Sequence, residues 1–197
     1  MNEVLNILVA GVGGQGNLVC SRVLADAAVA EGSRPVIGET FGASRRGGTV
    51  FTHVRIAQKD VGPLIPAGTT DFLLGLEPLE ALRAAVKYAG PKTIAILSTR
   101  RVETKDSLAG LAKYPDVSDI INSMSEICMQ VHSLDPTPSL ENLGSLRVLN
   151  SYMLGALAGL ESPPLSLGSI RTAVWEILGS DKVNLSAFDA GAKDIRT

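Results

Sequence analysis

Residues 5–16 read LNILVAGVGGQG, an apolar run that passes directly into a glycine-rich turn. A short apolar run ended by glycine is typical of a buried parallel strand. From about residue 15 to residue 31 the apolar side chains recur at helical spacing, and Gly32 ends the pattern. This succession of strand, turn and helix predicts an α/β fold that begins with a parallel strand.

The rest of the chain repeats the same alternation of elements. Further strands are predicted at about 35–38, 48–57, 71–76, 93–97 and 129–134, and helices at about 78–89, 118–128, 139–160 and 169–178. The order predicts a single doubly wound α/β domain over residues 1–197, with a mostly parallel, Rossmann-like sheet, flanking helices and a short tail at 183–197. The first two strands are expected to form a right-handed parallel crossover.

The composition limits the classes of function. Of 197 residues, 45% are hydrophobic and 19% are charged, which predicts a globular chain with one core. The formal net charge of −2 argues against non-specific nucleic-acid binding. No apolar run has the length of a membrane span, and the first residues lack the pattern of a signal peptide. We therefore expect a cytoplasmic protein that binds neither membrane nor nucleic acid.

The two cysteines, Cys20 and Cys128, stand far apart in the sequence. An iron–sulfur cluster usually needs four protein ligands, and no cluster of cysteine and histidine suggests zinc. We expect both thiols to be buried, as free cysteines commonly are in a reducing compartment, and no metal to be held by this chain alone.

The first glycine turn has the GxGxxG spacing of a dinucleotide-binding turn. Gly11, Gly13 and Gly16 fill its three positions, Gly14 adds another glycine, and Gln15 supplies a polar side chain at the mouth. Glycine lets the backbone approach a ligand, and helix N-terminal amides favour an anion. The spacing predicts an anion site, and the alternative is a tight turn that binds no ligand.

A nicotinamide cofactor would also need an acidic residue at the end of the second strand, to hold a ribose hydroxyl. Glu39 is the candidate, although it lies beyond the usual spacing and no helix follows it. An NAD(P)-binding oxidoreductase therefore stays open as an alternative.

A second glycine-rich turn stands about thirty residues after the first. It comprises Ser44, Arg45, Arg46, Gly47 and Gly48 and leads into the next strand. Arginine offers a bidentate fork to phosphate or carboxylate, so this loop is a candidate contact for a ligand or a partner. Glu39 is expected to orient the loop by pairing with one arginine. Neither turn is accompanied by side chains that could act together as nucleophile and base. A single histidine in a strand, such as His53, more often has a structural role. We therefore predict no catalytic residue.

The ordered motifs together resemble the gamma domain of 2-oxoacid:ferredoxin oxidoreductases. Besides the two turns and Glu39, the resemblance rests on residues 53–55 (HVR), 70–83 (TDFLLGLEPLEALR), 150–157 (NSYMLGAL) and 184–191 (NLSAFDAG), the last of which resembles the family's C-terminal turn. It is strongest for the beta subunit of the indolepyruvate enzyme and the gamma subunits of the pyruvate and 2-oxoglutarate enzymes.

The resemblance implies an enzyme subunit that is inactive alone. The family oxidatively decarboxylates a 2-oxoacid to an acyl-CoA and passes electrons to ferredoxin. Thiamine diphosphate, magnesium and iron–sulfur clusters are expected on partner subunits, with coenzyme A as co-substrate and no cofactor bound by this chain alone. The gamma domain would help to form the active-site cleft, and its glycine and arginine turns would suit the phosphates of coenzyme A.

The resemblance also suggests roles for residues outside the two turns. Asn150 and Met153 are expected to face the partner interface. The helix that carries them is apolar almost all round from Tyr152 to Leu160, which predicts burial in the core or against another subunit. A homodimer of the isolated chain through this helix is one expectation. A pure assembly module with no ligand at either turn is a further alternative.

Overall fold

The computed structural model describes residues 4–42, 47–102, 113–179 and 182–196. These residues form a six-stranded sheet in the order β2-β3-β1-β4-β5-β6. The strands are β1 (Val4–Val12), β2 (Arg34–Phe41), β3 (Thr49–Ala57), β4 (Phe72–Gly75), β5 (Ile94–Ser98) and β6 (Gln130–Leu134). The predicted α/β class with a mostly parallel sheet is confirmed.

One strand runs against the others. β1, β4, β5 and β6 pair in parallel, whereas β3 pairs antiparallel with both β1 and β2. β2 therefore has the direction of β1 but is not its neighbour, because β3 lies between them. The predicted crossover thus does not place the first two strands side by side. The apolar composition of β3 fits a central strand of either direction, so the sequence did not reveal the reversal.

Helices cover both faces of the sheet. They are α1 (Asn17–Ala30), α2 (Pro78–Tyr88), α3 (Val117–Ser125), α4 (Thr137–Asn142), α5 (Leu149–Gly159), α6 (Leu167–Leu178) and α7 (Lys182–Asp194). One hydrophobic cluster joins α1, α5, α6 and α7 to one face, and a second joins α2 and α3 to the other. Alternate residues of β1 enter the two clusters, since Ile7 and Val9 belong to the first and Leu8 and Ala10 to the second.

The helix predicted at 139–160 is interrupted. The chain forms α4, then a 3₁₀ turn at Leu146–Val148, and then α5. Gly144 between them has φ of 70°, which a continuous right-handed helix does not contain. The hydroxyl of Ser145 accepts a hydrogen bond from the Arg147 N–H at 3.3 Å and caps the 3₁₀ turn.

The tail predicted at 183–197 is largely the helix α7, so residues 184–191 form a helix and not a turn. Phe188 of this helix is fully buried. α7 lies along α5 in very close contact, since a Cβ built on Gly155 would stand 1.9 Å from the Phe188 carbonyl oxygen. The apolar helix α5 is thereby covered within the subunit, so its apolar side chains are not exposed for a dimer contact, and a homodimer of the isolated chain stays a prediction.

Across the described ranges, no helix is both long and apolar enough to cross a membrane.

Candidate functional site

The two glycine turns lie at one edge of the sheet. This edge carries the carboxyl ends of β1, β4, β5 and β6, together with the connection from β2 to β3. Ligands of open α/β sheets usually bind at the carboxyl edge, where the connections from neighbouring strands lead to opposite faces. The connection from β1 leads to α1 on one face and that from β4 leads to α2 on the other. The crevice between β1 and β4 is therefore the switch point of this sheet.

The turns contact each other through the backbone. The Gly13 N–H donates to the Gly48 carbonyl at 2.8 Å, and the Gly47 N–H donates to the Gly13 carbonyl at 3.1 Å. The structure thus joins Gly13 with Gly47 and Gly48, which the sequence presented as two separate motifs. Ser44, Arg45 and Arg46 lie outside the described residues, so their roles stay predictions.

The first turn leaves backbone donors available at the start of α1. Gly14 and Gly16 have φ of 106° and 85°, and Gly16 is the N-cap of the helix. Among the residues that the structure describes, the N–H groups of Gly14, Gly16 and Asn17 find no hydrogen-bond acceptor. Such orphan donors at a helix N-terminus form a local environment that favours an anion.

The side chain of Gln15 turns inward and does not stand at the mouth as predicted. Its Oε1 accepts a hydrogen bond from the Val12 N–H at 2.7 Å, and its Nε2 donates to the Leu76 carbonyl at 3.3 Å. Gln15 therefore ties the end of β1 to the end of β4. Gly11 lies within β1, where a Cβ would stand 2.7 Å from Gln15 Oε1, so this glycine permits close packing beside the turn.

Two asparagine side chains donate hydrogen bonds around the first glycine turn. Asn17 donates from Nδ2 to the Val50 carbonyl at 3.0 Å, while its buried Oδ1 has no hydrogen-bond partner in the part of the chain that the structure describes. Asn150, in the first turn of α5, donates from Nδ2 to the Gly16 carbonyl at 3.3 Å. A Cβ on Gly16 would stand 2.2 Å from that Nδ2. Sequence reasoning missed Asn17, although an amide directly after the glycine motif was the available signal.

Asn150 thus supports the glycine turn, and its predicted contact with a partner stays a prediction. Met153 is wrong as an interface residue, because its side chain is fully buried within the subunit. Its neighbours on both sides of the helix are buried as well, since α7 and the sheet enclose α5.

A buried carboxyl lies where β4 leads into α2. Glu77 is the N-cap of α2, accepts the Glu80 N–H at 2.9 Å and also accepts the Tyr114 hydroxyl. Burial raises the pKa of Glu77 above its ordinary value, although these hydrogen bonds act in the opposite direction. Burial and the contact with Glu77 raise the pKa of Tyr114. The sequence signal was a glutamate before proline at a helix start, but its partner 37 residues later was not predictable.

His53 is part of the framework. It is fully buried in β3, accepts the Ile65 N–H at Nδ1 and places Nε2 at 3.3 Å from Thr40 Oγ1. An acceptor at Nδ1 requires the neutral tautomer with its proton on Nε2. Burial first, and then the charges of Lys87 and Arg55, lower its pKa to about 4.

Glu39 lies on the edge strand β2 with an exposed side chain. The whole width of β3 separates it from β1, a distance of about 10 Å for two strand spacings. A ribose held beside the first turn would therefore be remote from Glu39, which disfavours the nicotinamide alternative. The arginines with which Glu39 was expected to pair fall outside the described residues.

Both cysteines are free and buried. Burial raises the pKa of the Cys20 thiol to about 12 and that of Cys128 to about 11, which makes both thiols poor nucleophiles. Within the described ranges, histidine, cysteine and acidic residues form no group of three that could hold a metal ion.

Two surface clefts lie at the opposite, amino edge of the sheet. One is lined by residues such as Asn6, Thr70 and Lys92, and the other by residues such as Met129 and Arg196. Neither is lined by a residue of the glycine turns. The candidate site is thus defined by its backbone donors and by the topology of the sheet.

The sequence of this chain matches a known protein family. The family model described as pyruvate ferredoxin/flavodoxin oxidoreductase matches residues 6–193. The chain belongs to this family. The match to the pyruvate ferredoxin/flavodoxin oxidoreductase family includes both glycine turns and nearly all of α5 to α7. The resemblance predicted from the motifs is confirmed.

A relative within this family is indolepyruvate oxidoreductase subunit IorB of Archaeoglobus fulgidus. It is 40% identical over 183 residues, which cover 92% of this chain and 90% of the relative. By its name this relative is a subunit of an oxidoreductase, the class of complex that the sequence predicted.

Solved structures show the same fold. A keto/oxoacid ferredoxin oxidoreductase gamma subunit from Geobacter sulfurreducens aligns with a TM-score of 0.68 and 21% identity, over 98% of each chain. A 2-oxoglutarate:ferredoxin oxidoreductase from Magnetococcus marinus, solved with 2-oxoglutarate, coenzyme A and succinyl-CoA, aligns with a TM-score of 0.69 and 22% identity. That match covers 100% of this chain and 32% of the other chain.

Proposed function

We propose that this chain is the gamma-type subunit of a 2-oxoacid:ferredoxin oxidoreductase of the indolepyruvate class and is inactive alone. Family membership supports the enzyme class, and the 40% identity to an indolepyruvate oxidoreductase subunit supports the substrate class. The complex would convert a 2-oxoacid and coenzyme A to an acyl-CoA and carbon dioxide, with two electrons passed to ferredoxin.

The partners in this proposal carry the cofactors. A partner subunit would hold thiamine diphosphate with magnesium, which stabilises the carbanion formed on decarboxylation, and iron–sulfur clusters would conduct the electrons. The two cysteines of this chain are buried on opposite faces of the sheet, so they do not form a ligand set. We place the complex in the cytoplasm, in keeping with two free thiols.

One observation carries the assignment of this subunit's own role. Gly13 is hydrogen-bonded to Gly47 and Gly48, so these three residues lie together at the switch point of the sheet. The N–H groups of Gly14 and Gly16, which find no acceptor among the described residues, follow Gly13 in the chain. Backbone donors at a helix N-terminus suit phosphate oxygens, and coenzyme A is the phosphorylated co-substrate of the proposed reaction.

The remaining predicted residues keep roles within this proposal. Ser44, Arg45 and Arg46 would complete the loop that meets coenzyme A or the partner subunit. Glu39 would orient that loop through one arginine. Asn150 would hold the first turn in its binding conformation through the Gly16 carbonyl, which it contacts at 3.3 Å.

Reconstitution tests the proposed function. The chain is co-expressed with a candidate thiamine-binding subunit, and reduction of a dye is measured with indolepyruvate, pyruvate and 2-oxoglutarate in turn. We expect activity that requires both subunits and coenzyme A and is highest with indolepyruvate. Full activity of the partner alone would refute the proposal, and a preference for another 2-oxoacid would correct only the substrate class.

The two alternatives have distinct outcomes. An NAD(P)-dependent enzyme predicts that the isolated chain binds NAD(P)H, which calorimetry would detect. A ligand-free assembly module predicts that Gly13→Ala lowers stability but leaves the kinetics of the assembled complex unchanged. The first alternative has less support, because β3 separates Glu39 from the first turn.

A further inference from the structure

Arg83 is a cation at the carboxyl edge that no motif assigned to the site. It lies in α2, and its Nη1 contacts Glu80 Oε1 at 2.5 Å. Glu80 is 3% exposed, whereas the Arg83 side chain is 51% exposed. The buried carboxylate therefore holds an arginine whose other donors face outward.

The guanidinium lies beside the second glycine turn. Arg83 Nη1 is also 3.5 Å from the hydroxyl of Thr49, the residue that directly follows Gly48. Thr49 pairs in register with Val12, the last residue of β1 before Gly13. Thr49, which Arg83 contacts, and Val12, which precedes the first turn, are therefore about 5 Å apart, the spacing of neighbouring strands.

We propose that Arg83 is a further anion-binding residue of this site and that Glu80 is its positioning residue. The inference rests on the proposed function, because it names the side chain that binds a phosphate group of coenzyme A together with the backbone donors of the turns. Of the five N–H donors of a guanidinium, those on Nε and Nη2 make no hydrogen bond within the described parts of the chain. They form a fork that matches two oxygens of a phosphate.

The contact with the buried Glu80 reduces the side-chain entropy that Arg83 would lose on binding a ligand. A surface arginine normally loses side-chain entropy when it binds a ligand. Here the ion pair with Glu80 already fixes the guanidinium beside Thr49. The Oε2 atom of Glu80 is buried and has no hydrogen-bond partner among the described residues, so the carboxylate depends on Arg83 for compensation of its charge.

The test compares two thiol co-substrates in the reconstituted complex. Coenzyme A carries phosphates, whereas its pantetheine fragment carries none. We expect Arg83→Gln to raise the KM for coenzyme A by about tenfold or more, as for loss of a charged hydrogen bond, and to leave the KM for pantetheine unchanged. Arg83→Lys keeps the charge but loses the fork, and should give an intermediate KM for coenzyme A.

Lys87→Gln is the matched control, because it removes one exposed positive charge from the same helix. It should leave both KM values at the wild-type level. Glu80→Gln keeps a similar shape but frees Arg83, and we expect a raised KM for coenzyme A with an unchanged KM for pantetheine. A merely structural role of Glu80 would instead lower kcat with both thiols, and would overturn its assignment.

The outcomes separate this inference from the proposed function. An unchanged KM for coenzyme A in Arg83→Gln, together with a raised one in Gln15→Glu at the first turn, would overturn the role of Arg83 alone. An unchanged KM in both variants would refute the phosphate site itself and this inference with it. Equal changes with coenzyme A and pantetheine would assign Arg83 to folding or assembly and would also overturn the proposal.

Discussion

Gly191 of α7 lies so close to Tyr152 of α5 that a Cβ at position 191 would stand 1.9 Å from the Tyr152 carbonyl oxygen. Gly155 meets the carbonyl of Phe188 with the same separation, so the contact is reciprocal. Small residues at such a seam let two helix backbones approach each other closely. The seam fixes the position of α5, whose first turn contacts the Gly16 carbonyl through Asn150.

Gly191→Ala should be strongly destabilising. The added methyl group meets backbone, which moves only if the two helices separate, so we expect a loss of about 3 kcal/mol in the free energy of unfolding. Chemical denaturation measures the loss. Gly168→Ala is the control, because the nearest atom to a Cβ there is 4.0 Å away, and this exposed helical position should gain stability from alanine. Equal effects of the two substitutions would contradict the seam.

Tyr114→Phe should cost about 2 kcal/mol at neutral pH, because it leaves the buried Glu77 carboxylate without one donor. The folded-state pKa of Glu77 is already raised, so its ionised form opposes folding at neutral pH. That opposition disappears as the pH falls through the folded-state pKa, and the cost of Tyr114→Phe should shrink in acid. Urea denaturation as a function of pH measures both effects.

Tyr88→Phe is the matched control for Tyr114→Phe. The Tyr88 ring is buried against Phe51 and His53, but its hydroxyl makes no hydrogen bond within the described residues. We expect no loss of stability beyond 0.5 kcal/mol or so, as for substitutions away from such networks. A similar cost in both variants would show that the hydroxyl of Tyr114 contributes nothing specific.

His53 should make the protein lose stability in mild acid. Its pKa is lowered from 6.5 to about 4 in the folded chain, so below pH 6.5 the unfolded chain takes up a proton that the folded chain excludes. The free energy of unfolding should therefore fall from about pH 6.5 down to about pH 4, by about 3 kcal/mol in total. His53→Gln removes this titration, and its stability should fall less steeply over the same interval. Parallel curves for the two proteins would contradict the assignment.

Gln15→Glu should weaken coenzyme A binding with little loss of folding. The carboxylate still accepts the Val12 N–H but no longer donates to the Leu76 carbonyl, which costs about 1 kcal/mol. The new negative charge belongs to the residue between Gly14 and Gly16, whose N–H groups find no acceptor among the described residues, and it repels phosphate. The KM for coenzyme A in the reconstituted complex measures the effect. Gln58→Glu places the same charge at the far edge of the sheet and should leave this KM unchanged.

The elements themselves were predictable because their signals are local. The apolar run before Gly11, the helical spacing after Gln15 and the proline at the start of α2 each act within a few residues. The direction of β3 was not predictable, since a strand buried on both faces has the same composition whether it pairs parallel or antiparallel. The interruption at Gly144 was missed because a single glycine inside a helical pattern is also tolerated.

The candidate site was predictable in part. Both glycine turns were found from their residues, but the bonds that join Gly13 to Gly47 and Gly48 depend on the reversal of β3. Contacts such as that of Glu77 with Tyr114 link residues far apart in sequence and leave no periodic signal. Met153 was misplaced because an apolar helix has the same pattern whether a partner or its own subunit covers it.

The reversed strand also affects how this fold can diversify. Because β2 and β3 form a hairpin, their connection returns to the edge where β1 ends, and no crossover helix is needed to deliver a second loop there. Insertions or deletions between Phe41 and Thr49 would therefore change what meets the first turn without shifting the register of any strand. Natural variation in substrate or partner choice can thus be concentrated in one short segment, while the six-stranded scaffold stays constant.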